Sequence, residues 1–212
     1  MMEGIYLVTD RKLIQGKSWL YVVEEAVKGG VSLVQLREKE ISTREFIELG
    51  LALKQVLAPY QVPLLVNDRV DVALAIGAEG VHIGQSDMPY PVARALLGEK
   101  ALIGLSVETQ EQVLLANQWE VDYIALSPVF PTPTKTDTHT PWGLEGIKAA
   151  RKISKHPIVG IGGIHQHNAP EVVQAGVSML AVVSEICTAE APYQAAKNLL
   201  NVFNYSKPQT NI

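Results

Sequence analysis

Short apolar segments alternate with longer amphipathic segments along almost the whole chain. Eight of the short segments are rich in β-branched and aliphatic residues, and each is followed by a segment with helical spacing. Parallel strands that are buried on both faces read as near-continuous apolar runs, so we interpret the short segments as such strands. They begin near residues 4, 33, 63, 80, 102, 123, 157 and 179. The alternation therefore predicts a repeated βα unit.

The repeat has no interruption that would divide the chain. No linker or low-complexity stretch separates the apolar segments, and the one Pro/Thr-rich stretch, residues 128–143, lies between the sixth strand segment and its helix. Eight βα units in one series predict an α/β protein with a single (β/α)8 TIM barrel, one domain over residues 1–212. An open, doubly wound sheet is the alternative, and it would have to accommodate all eight strands.

Capping signals mark where several helices begin. Ser42 with Glu45, and Thr109 with Gln112, have the spacing of a capping box, in which a side-chain oxygen accepts from a backbone N–H of the first turn. Asn168, which precedes Ala-Pro-Glu, is a further start signal. These signals predict helices after the second, fifth and seventh strand segments.

The composition excludes several functional classes. Hydrophobic residues make up 47% and charged residues 19%, which is typical of globular proteins and not of disordered chains. The net charge of −4 indicates no general basic surface for nucleic acid, and no apolar run approaches the roughly 18 residues of a membrane helix. The single Cys187 cannot form an internal disulfide, and the N-terminal residues lack the layout of a signal peptide. We therefore expect a soluble, cytoplasmic protein that binds neither nucleic acid nor membrane.

Polar side chains gather at the predicted strand ends, where a barrel of this type has its active site. Gln35, Arg37 and Lys39 alternate at the end of the second strand segment, so their side chains share one face. Asp68 and Asp87 follow the third and fourth strand segments, and carboxylates near phosphate-binding cations often hold Mg²⁺. This side of the barrel mouth is predicted to bind a polyanion together with Mg²⁺.

A separate monophosphate site is indicated at the end of the series. Gly162 and Gly163 end the seventh strand segment, and Ser184 ends the eighth. Barrels of this type often bind a phosphate at these two strand ends through backbone N–H groups. A polyanion site and a monophosphate site in one barrel mouth would suit a transferase with two small phosphorylated substrates.

Each of these features also has a purely structural interpretation. A glycine pair after a strand is by itself more often a turn than a phosphate site. Asn67 with Asp68 could cap the following helix. Arg37 and Lys39 could pair with the glutamates beside them or with other surface acids. The joint placement of all of these residues at strand ends favours the functional interpretation.

The long loop after the sixth strand segment carries Thr132, Thr134 and Lys135. A loop of this length inside a compact domain is more often functional than incidental. We expect residues 130–142 to form a lid that closes over the polyanion and excludes water from the reaction.

Six sequence segments occur in the same order as in a known protein family. They are QLREK at 35–39, NDRVDVAL at 67–74, GVHIGQSDMP at 80–89, PVFPTPTK at 128–135, GIGGI at 160–164 and AVVSEI at 181–186. Together they resemble the thiamine phosphate synthase family, and the resemblance extends from about residue 4 to about residue 200. The first and fourth segments are the specific ones, since the glycine segment alone would be a weak signal.

The resemblance implies a barrel that joins hydroxymethylpyrimidine diphosphate to thiazole phosphate, or to its carboxylated form, and releases diphosphate. It implies one Mg²⁺ per active site, held by Asp68 and Asp87, and it leaves a homo-oligomer open. The other implied site residues are Gln35 facing the pyrimidine, Arg37, Lys39, Asn67, Ser106, Thr134 and Lys135 at the diphosphate, Thr132 near the thiazole, and Gly163, Val183 and Ser184 at the thiazole phosphate.

The implied chemistry depends on handling charge more than on acid–base catalysis. We hypothesise that the C–O bond to the diphosphate breaks first, because the electron-rich aminopyrimidine stabilises the resulting methylene cation. The thiazole nitrogen then attacks this cation. Arg37, Lys39, Lys135 and Ser106 would be the catalytic residues, since with Mg²⁺ they would stabilise the departing diphosphate.

Some positions depart from the family pattern, and two alternative functions stay open. Ala125 and Ser127 stand where we expect glycines, and Glu108 stands where some relatives have His. An isomerase similar to thiazole tautomerases would use that His and would need no diphosphate site. A non-catalytic sensor of phosphate ligands on the same barrel would need neither the Mg²⁺ carboxylates nor Lys135.

Replacement of Lys135 by Ala is expected to slow turnover by about 10²-fold, which is the scale of one lost charge-stabilising contact. The expected lid would bring the Lys135 charge to the diphosphate only on closing. Steady-state formation of thiamine phosphate measures the rate, and limited proteolysis with and without diphosphate and Mg²⁺ measures closure. Near-normal turnover together with equal cleavage in both conditions would remove Lys135 and the lid from the site.

Overall fold

The computed structural model describes residues 2–132 and 140–207. Its strands are β1 (Gly4–Val8), β2 (Val31–Leu36), β3 (Leu64–Asn67), β4 (Gly80–Ile83), β5 (Leu102–Val107), β6 (Tyr123–Leu126), β7 (Ile158–Ile161) and β8 (Met179–Val182). Neighbouring strands are parallel and pair in chain order, and β1 pairs with β8 to close the barrel. The predicted (β/α)8 barrel is therefore confirmed, and the alternative of an open sheet is wrong.

Helices connect the strands along the outside of the barrel. Those among the described residues are α1 (Trp19–Lys28), α2 (Thr43–Leu57), α3 (Val70–Ile76), α4 (Tyr90–Leu97), α5 (Gln110–Ala116), α6 (Gly143–Ile153), α7 (Ala169–Gln174), α8 (Ser184–Cys187) and α9 (Pro192–Ser206). Within residues 2–132 and 140–207, no helix combines the length and apolar character needed to cross a bilayer. The assignment of the remaining positions to the same domain stays a prediction.

The predicted capping interactions of α2 and α5 are present. Ser42 Oγ accepts from the backbone N–H of Glu45 at 3.2 Å. Thr109 Oγ1 accepts from the backbone N–H of Gln112 at 3.3 Å. Each bond satisfies one of the first-turn N–H groups that have no partner within the helix, so the sequence determines where these helices begin.

Side chains on each strand alternate between two apolar cores. Outward-facing residues such as Ile5 and Leu7 pack with the helices in one large cluster. Inward-facing residues fill the barrel and form the inner core, which consists of Tyr6, Val8, Leu33, Leu65, Tyr123, Ala125, Val159, Met179 and Ala181. Both faces of each strand are thus buried, which explains the continuous apolar runs in the sequence.

Gly104 on β5 leaves the space that the ring of Tyr123 on β6 occupies. The two residues are register partners in adjacent strands. A Cβ atom at Gly104 would lie 2.0 Å from Tyr123 Cζ, and the Tyr123 side chain is fully buried. The missing side chain therefore allows a large ring to lie inside the barrel.

Replacement of Gly104 by Ala is expected to lower the free energy of unfolding by about 1–3 kcal/mol, because the new methyl group overlaps the Tyr123 ring. Urea or guanidinium unfolding measures the change. In a Tyr123→Ala background the same substitution is expected to cost less, since the overlapping ring is gone. An equal cost in both backgrounds would contradict the proposed packing.

Candidate active site

The C-terminal ends of the strands surround a cavity of about 510 Å³. Every predicted site residue that the structure describes lines this cavity: Gln35, Arg37, Lys39, Asn67, Asp68, Asp87, Ser106, Thr132, Gly163, Val183 and Ser184. Thr134 and Lys135 lie outside the described residues, as does the centre of the expected lid, residues 133–139. Closure of the barrel thus brings together side chains from β2 through α8.

The glutamates beside Arg37 and Lys39 pair with basic residues that follow β1. The distances are 2.6 Å for Glu38 Oε1 to Arg11 Nε and 2.5 Å for Glu40 Oε2 to Lys12 Nζ. The structural alternative, in which Arg37 and Lys39 pair with the glutamates beside them, is therefore wrong. Both basic side chains line the cavity instead.

Lys39 pairs with a carboxylate of the cavity. Its Nζ lies 2.6 Å from Asp68 Oδ2, and the two side chains are 54% and 19% exposed. Asp68 has a left-handed backbone with φ of 62°, which is unusual for a residue other than glycine but is tolerated best by Asn and Asp. Its N–H donates to the His82 carbonyl at 2.8 Å. The alternative interpretation, in which Asp68 caps the following helix, does not hold. Arg69 occupies the N-cap position of α3, and Asp68 precedes it.

Asp87 lies next to Asp68 at the end of β4. Its Oδ2 accepts from the Gly84 N–H at 2.7 Å. Burial raises the pKa of Asp87, and the neighbouring Asp68 carboxylate raises it further. A cation between the two carboxylates would relieve this repulsion. The pair therefore has the charge and the donor atoms that a divalent cation requires.

The two carboxylates fit Mg²⁺ better than they fit a transition metal. Within the described ranges, 2–132 and 140–207, no group of three or more acidic, His or Cys side chains is arranged to hold a metal ion. Mg²⁺ commonly takes only one or two carboxylates and completes its shell with water and substrate phosphate oxygens. Asp68 and Asp87 beside an open cavity match that pattern.

Asn67 carries an unsatisfied donor at the edge of the same cavity. The residue is only 6% exposed, and its Nδ2 has no hydrogen-bond partner among the described residues. A buried amide donor without a partner costs stability, and native structures contain few of them. Asn67 lines the cavity, so a bound acceptor is the straightforward partner for this group.

Thr9 connects the end of β1 to the end of β2. Its backbone N–H donates to the Gln35 carbonyl at 2.9 Å, and its Oγ1 accepts from the Arg37 backbone N–H at 3.1 Å. Thr9 is fully buried. These bonds fix the backbone from which Arg37 reaches the cavity. The position of Thr9 at a strand end is evident from the sequence, but this supporting role is not.

The loop after β7 is built on two glycines with positive φ. The φ angles of Gly162 and Gly163 are 100° and 64°. A Cβ atom at Gly163 would lie 2.8 Å from both Phe130 Cβ and the Pro131 carbonyl oxygen. Any side chain at Gly163 would thus disturb the 130–131 segment as well as a ligand. The glycine is required by the backbone whether or not it binds phosphate.

Asn168 braces this loop. Helix α7 begins after Asn168, as predicted, but the Asn168 side chain does not cap it. Its Oδ1 accepts from the His165 N–H at 2.8 Å, and its Nδ2 donates to the Gly163 carbonyl at 2.9 Å. The helix-start signal at Asn168 is therefore confirmed, while its side chain holds the shape of the glycine loop.

A chain of hydrogen bonds crosses the barrel interior beside the cavity. Gln35 Nε2 donates to the Tyr6 hydroxyl. The Tyr6 and Tyr123 hydroxyl oxygens lie 2.9 Å apart. Tyr123 Oη lies 2.8 Å from His82 Nδ1, and His82 Nε2 lies 2.8 Å from Ser106 Oγ. We call these five side chains the interior relay.

The sequence contains only part of the signal for the relay. Tyr6, His82 and Tyr123 occupy inward positions of their strands, and strand alternation alone predicts that they point into the barrel. Which hydroxyl meets which ring nitrogen depends on the stagger between strands that are far apart in sequence. That stagger becomes known only when the barrel is closed.

The sixth strand keeps its regular course despite lacking the expected glycines. Ala125 and Ser127 are buried and line the cavity, and β6 pairs with both β5 and β7.

Cys187 is 3% exposed, and burial raises the pKa of its thiol to about 11. It is therefore a packing residue and not a nucleophile.

Comparison with known proteins agrees with this geometry. A family model described as thiamine monophosphate synthase matches residues 5–186. The thiamine-phosphate synthase of Albidiferax ferrireducens is 54% identical over 195 residues, which cover 92% of this chain and 89% of that protein. The thiamine-phosphate synthase of Leptospira biflexa serovar Patoc is 50% identical over 206 residues, which cover 95% of this chain and 98% of that protein.

Solved structures include a relative with the same fold. The thiamine phosphate pyrophosphorylase from Pyrococcus furiosus superposes with a TM-score of 0.86 at 38% identity, and the match covers 96% of each chain. The sequence and structural matches both extend across the cavity-lining segments described above. The chain therefore belongs to the thiamine monophosphate synthase family, and it is an enzyme of the transferase class.

Proposed function

We propose that the protein joins hydroxymethylpyrimidine diphosphate to thiazole phosphate, giving thiamine phosphate and diphosphate. The observation that carries this proposal is one cavity with two different anion-compatible ends. Cations, paired carboxylates and an unsatisfied amide lie at the ends of β2 to β4, and a glycine loop lies at the ends of β7 and β8. A carboxylated thiazole phosphate is a second candidate for the acceptor substrate.

The diphosphate end would use residues of β2, β3 and β5. Arg37 can bind phosphate oxygens through two parallel N–H groups, and the Asn67 amide gains the acceptor that it lacks in the ligand-free protein. Ser106 lines the same end and can donate through its hydroxyl. The sequence resemblance adds Thr134 and Lys135 to this set.

Lys39 would change partners when the substrates bind. In the ligand-free protein its ammonium group is held by Asp68 at 2.6 Å. A cation at Asp68 and Asp87 would compete for that carboxylate and release Lys39 toward the diphosphate. Lys39 is half-exposed, and ion pairs close to solvent contribute little stability. Lys39 can therefore leave Asp68 at little cost in free energy.

Asp68 and Asp87 are the residues that would hold one Mg²⁺. Their carboxylates are adjacent, and burial together with the neighbouring Asp68 carboxylate raises the pKa of Asp87. When bound, Mg²⁺ would offset the negative charge that develops on the diphosphate as the C–O bond breaks.

The thiazole phosphate end would use backbone and hydroxyl donors. Gly163 belongs to the braced loop after β7, while Val183 and Ser184 lie at the junction of β8 and α8. The first N–H groups of a helix have no intrahelical partner, so they are available to an anion. Thr132 lines the cavity near these groups and would contact the thiazole.

The chain's own residues would bind, orient and shield charge, and need not form a covalent bond to substrate. A dissociative reaction needs a stabilised leaving group and an excluded solvent, both of which charged donors in a partly enclosed cavity can supply. Arg37, Lys39 and Ser106 would act on the departing diphosphate. The electron-rich aminopyrimidine itself would stabilise the methylene cation.

Two other functions fit the cavity less well. A thiazole isomerase would have no use for a cation-lined diphosphate end, and position 108 of this chain carries Glu where that chemistry would use His. A phosphate sensor would not need paired carboxylates beside Lys39. Incubation of both substrates with Mg²⁺ tests all three functions, since only the proposed synthase forms thiamine phosphate and diphosphate.

Replacement of Asp87 by Asn is expected to raise the Mg²⁺ concentration for half-maximal turnover by about tenfold or more, since even partners behind a metal ligand typically contribute 10–100-fold. Asn retains an oxygen that can accept from the Gly84 N–H, so the loop is preserved. Turnover measured across a Mg²⁺ titration gives the value.

The control for this experiment is Asp71→Asn. Asp71 lies in the first turn of α3, pairs with Arg69 at 2.6 Å and does not line the cavity. Its replacement is expected to leave the Mg²⁺ dependence unchanged. Asp68→Asn should resemble Asp87→Asn, and an unchanged Mg²⁺ requirement in both cavity variants would exclude the metal assignment.

Replacement of Ser184 by Ala is expected to raise KM for thiazole phosphate by about tenfold, the equivalent of one hydrogen bond to an anion. KM for the pyrimidine diphosphate should stay nearly constant, because Ser184 lies at the other end of the cavity. Ser32→Ala, at the start of β2, is the matched control. Equal increases for both substrates would show that the two ends are not separate sites.

A further inference from the structure

With a neutral His82 and every contact of the relay used as a hydrogen bond, the relay protons have two self-consistent orders. Each hydroxyl has one proton to donate, and in a neutral imidazole one nitrogen donates while the other accepts. Gln35 Nε2 donates to Tyr6. The Tyr6 proton is then directed to Tyr123, the Tyr123 proton to His82 Nδ1, and the His82 Nε2 proton to Ser106. In this order the Ser106 hydroxyl can donate its own proton to a ligand in the cavity, and the Gln35 carbonyl oxygen can accept from one.

We propose that the interior relay is a positioning device that couples recognition of the pyrimidine ring to recognition of the diphosphate. In the order described above, Gln35 presents an acceptor to the cavity and Ser106 presents a donor. The reversed order would present an N–H donor at Gln35 and only lone pairs at Ser106. This inference rests on the proposed function and adds residues to it: Tyr6, Tyr123 and His82 act through Gln35 and Ser106.

The charges at the cavity mouth select the first order. Ser106 lies in the same cavity as Arg37 and Lys39, where the ligand is an anion that only accepts hydrogen bonds. A Ser106 hydroxyl that gave its proton to His82 would direct lone pairs at that anion. The anion therefore favours His82 with its proton on Nε2, and through Tyr123 and Tyr6 it favours Gln35 as an acceptor.

The relay is held rigidly enough to transmit this preference. The rings of Tyr6 and Tyr123 meet edge to face with centroids 6.0 Å apart, and those of His82 and Tyr123 are stacked with centroids 5.6 Å apart. Tyr6 and Tyr123 are 1% and 0% exposed. Burial raises the pKa of both tyrosines, so both hydroxyls keep their protons at neutral pH. Neither ring can turn aside without leaving a buried hydroxyl unpaired.

The proposed order of protons in the relay determines which pyrimidine ring the cavity prefers. An acceptor at Gln35 matches a ring that carries an amino group, and it opposes a ring that carries a carbonyl at the same position. A site that loses a buried hydrogen bond to the wrong substrate discriminates strongly. The order of protons also makes His82 a donor to Ser106, so Ser106 is not activated as a nucleophile despite its 2.8 Å contact with the ring nitrogen.

Tyr123 is the residue that separates a relay from direct contacts. Tyr6, Gln35, His82 and Ser106 all line the cavity, but Tyr123 does not. Tyr123→Phe keeps the ring and removes the hydroxyl that joins the two halves of the relay. Any change in substrate recognition by this variant is therefore transmitted by the relay members that line the cavity, and not by a contact between Tyr123 and the substrate.

The test compares two substrates, the aminopyrimidine diphosphate and its analogue with a ring carbonyl in place of the amino group. The wild-type protein is expected to prefer the amino substrate in kcat/KM by at least about 10²-fold. Tyr123→Phe is expected to reduce this preference by about tenfold, because Gln35 is then free to present its N–H groups, while KM for thiazole phosphate stays constant. Tyr90→Phe is the matched control, since Tyr90 is 7% exposed and donates to the Glu120 carbonyl far from the relay.

The outcomes separate the relay from the proposed function. A wild-type protein that joins neither ring to thiazole phosphate would contradict the proposed function. A wild-type protein that is active and selective, with Tyr123→Phe equally selective, would overturn the relay alone.

A second measurement needs neither activity nor a folded variant at position 123. ¹⁵N NMR of histidine-labelled wild-type protein reports which ring nitrogen of His82 carries the proton, and the signal is assigned by its loss in His82→Gln. We expect the proton on Nε2, both in the free protein and with inorganic diphosphate and Mg²⁺ added. A proton on Nδ1 in the diphosphate complex would overturn the proposed order.

Discussion

The pairing of β1 with β8 is the constraint on which the site depends. Four register pairs, from Gly4–Met179 to Leu7–Val182, join the two ends of the strand series. Without them the glycine loop after β7 would lie at one edge of an open sheet, far from the cations that follow β2. Closure also removes both sheet edges and buries the inner core, so stability and the assembly of the two anion-compatible ends have the same cause.

Polar groups inside the barrel are tolerated because almost all of them are paired. The hydroxyls of Tyr6 and Tyr123 and both ring nitrogens of His82 lie within hydrogen-bonding distance of a partner. The Asn67 amide is the exception among the described side chains, and an unsatisfied donor costs about 1–3 kcal/mol. The fold carries this cost at the cavity, where a ligand can remove it. Binding of an acceptor would therefore recover the free energy that the unpaired Asn67 amide costs.

The sequence predicts the barrel, and the residues that line its cavity, better than it predicts the contacts between those residues. The βα repeat predicts the fold. Once the barrel closes, all strand ends meet at one mouth, so residues that are far apart in the sequence could be predicted to line the same cavity. Asn168 marks the start of α7 as predicted, but the sequence does not show that its side chain bonds the preceding loop instead of the helix. The contacts of Thr9, His82 and Tyr123, and the left-handed backbone of Asp68, depend on strand stagger and on local packing, neither of which a single sequence displays.

Charge balance would allow one cavity to accept both the proposed metal ion and a diphosphate. The Lys39 ammonium pairs with Asp68, while burial and the neighbouring Asp68 carboxylate raise the pKa of Asp87. A cation alone would displace Lys39 and leave it without a partner, and a diphosphate alone would face the carboxylates. In the proposed function, the cation would take the carboxylates and Lys39 would take the diphosphate when both bind, so each new charge would meet its opposite. Metal and diphosphate would then stabilise each other's binding through Lys39, and such a coupling is reciprocal by thermodynamic necessity.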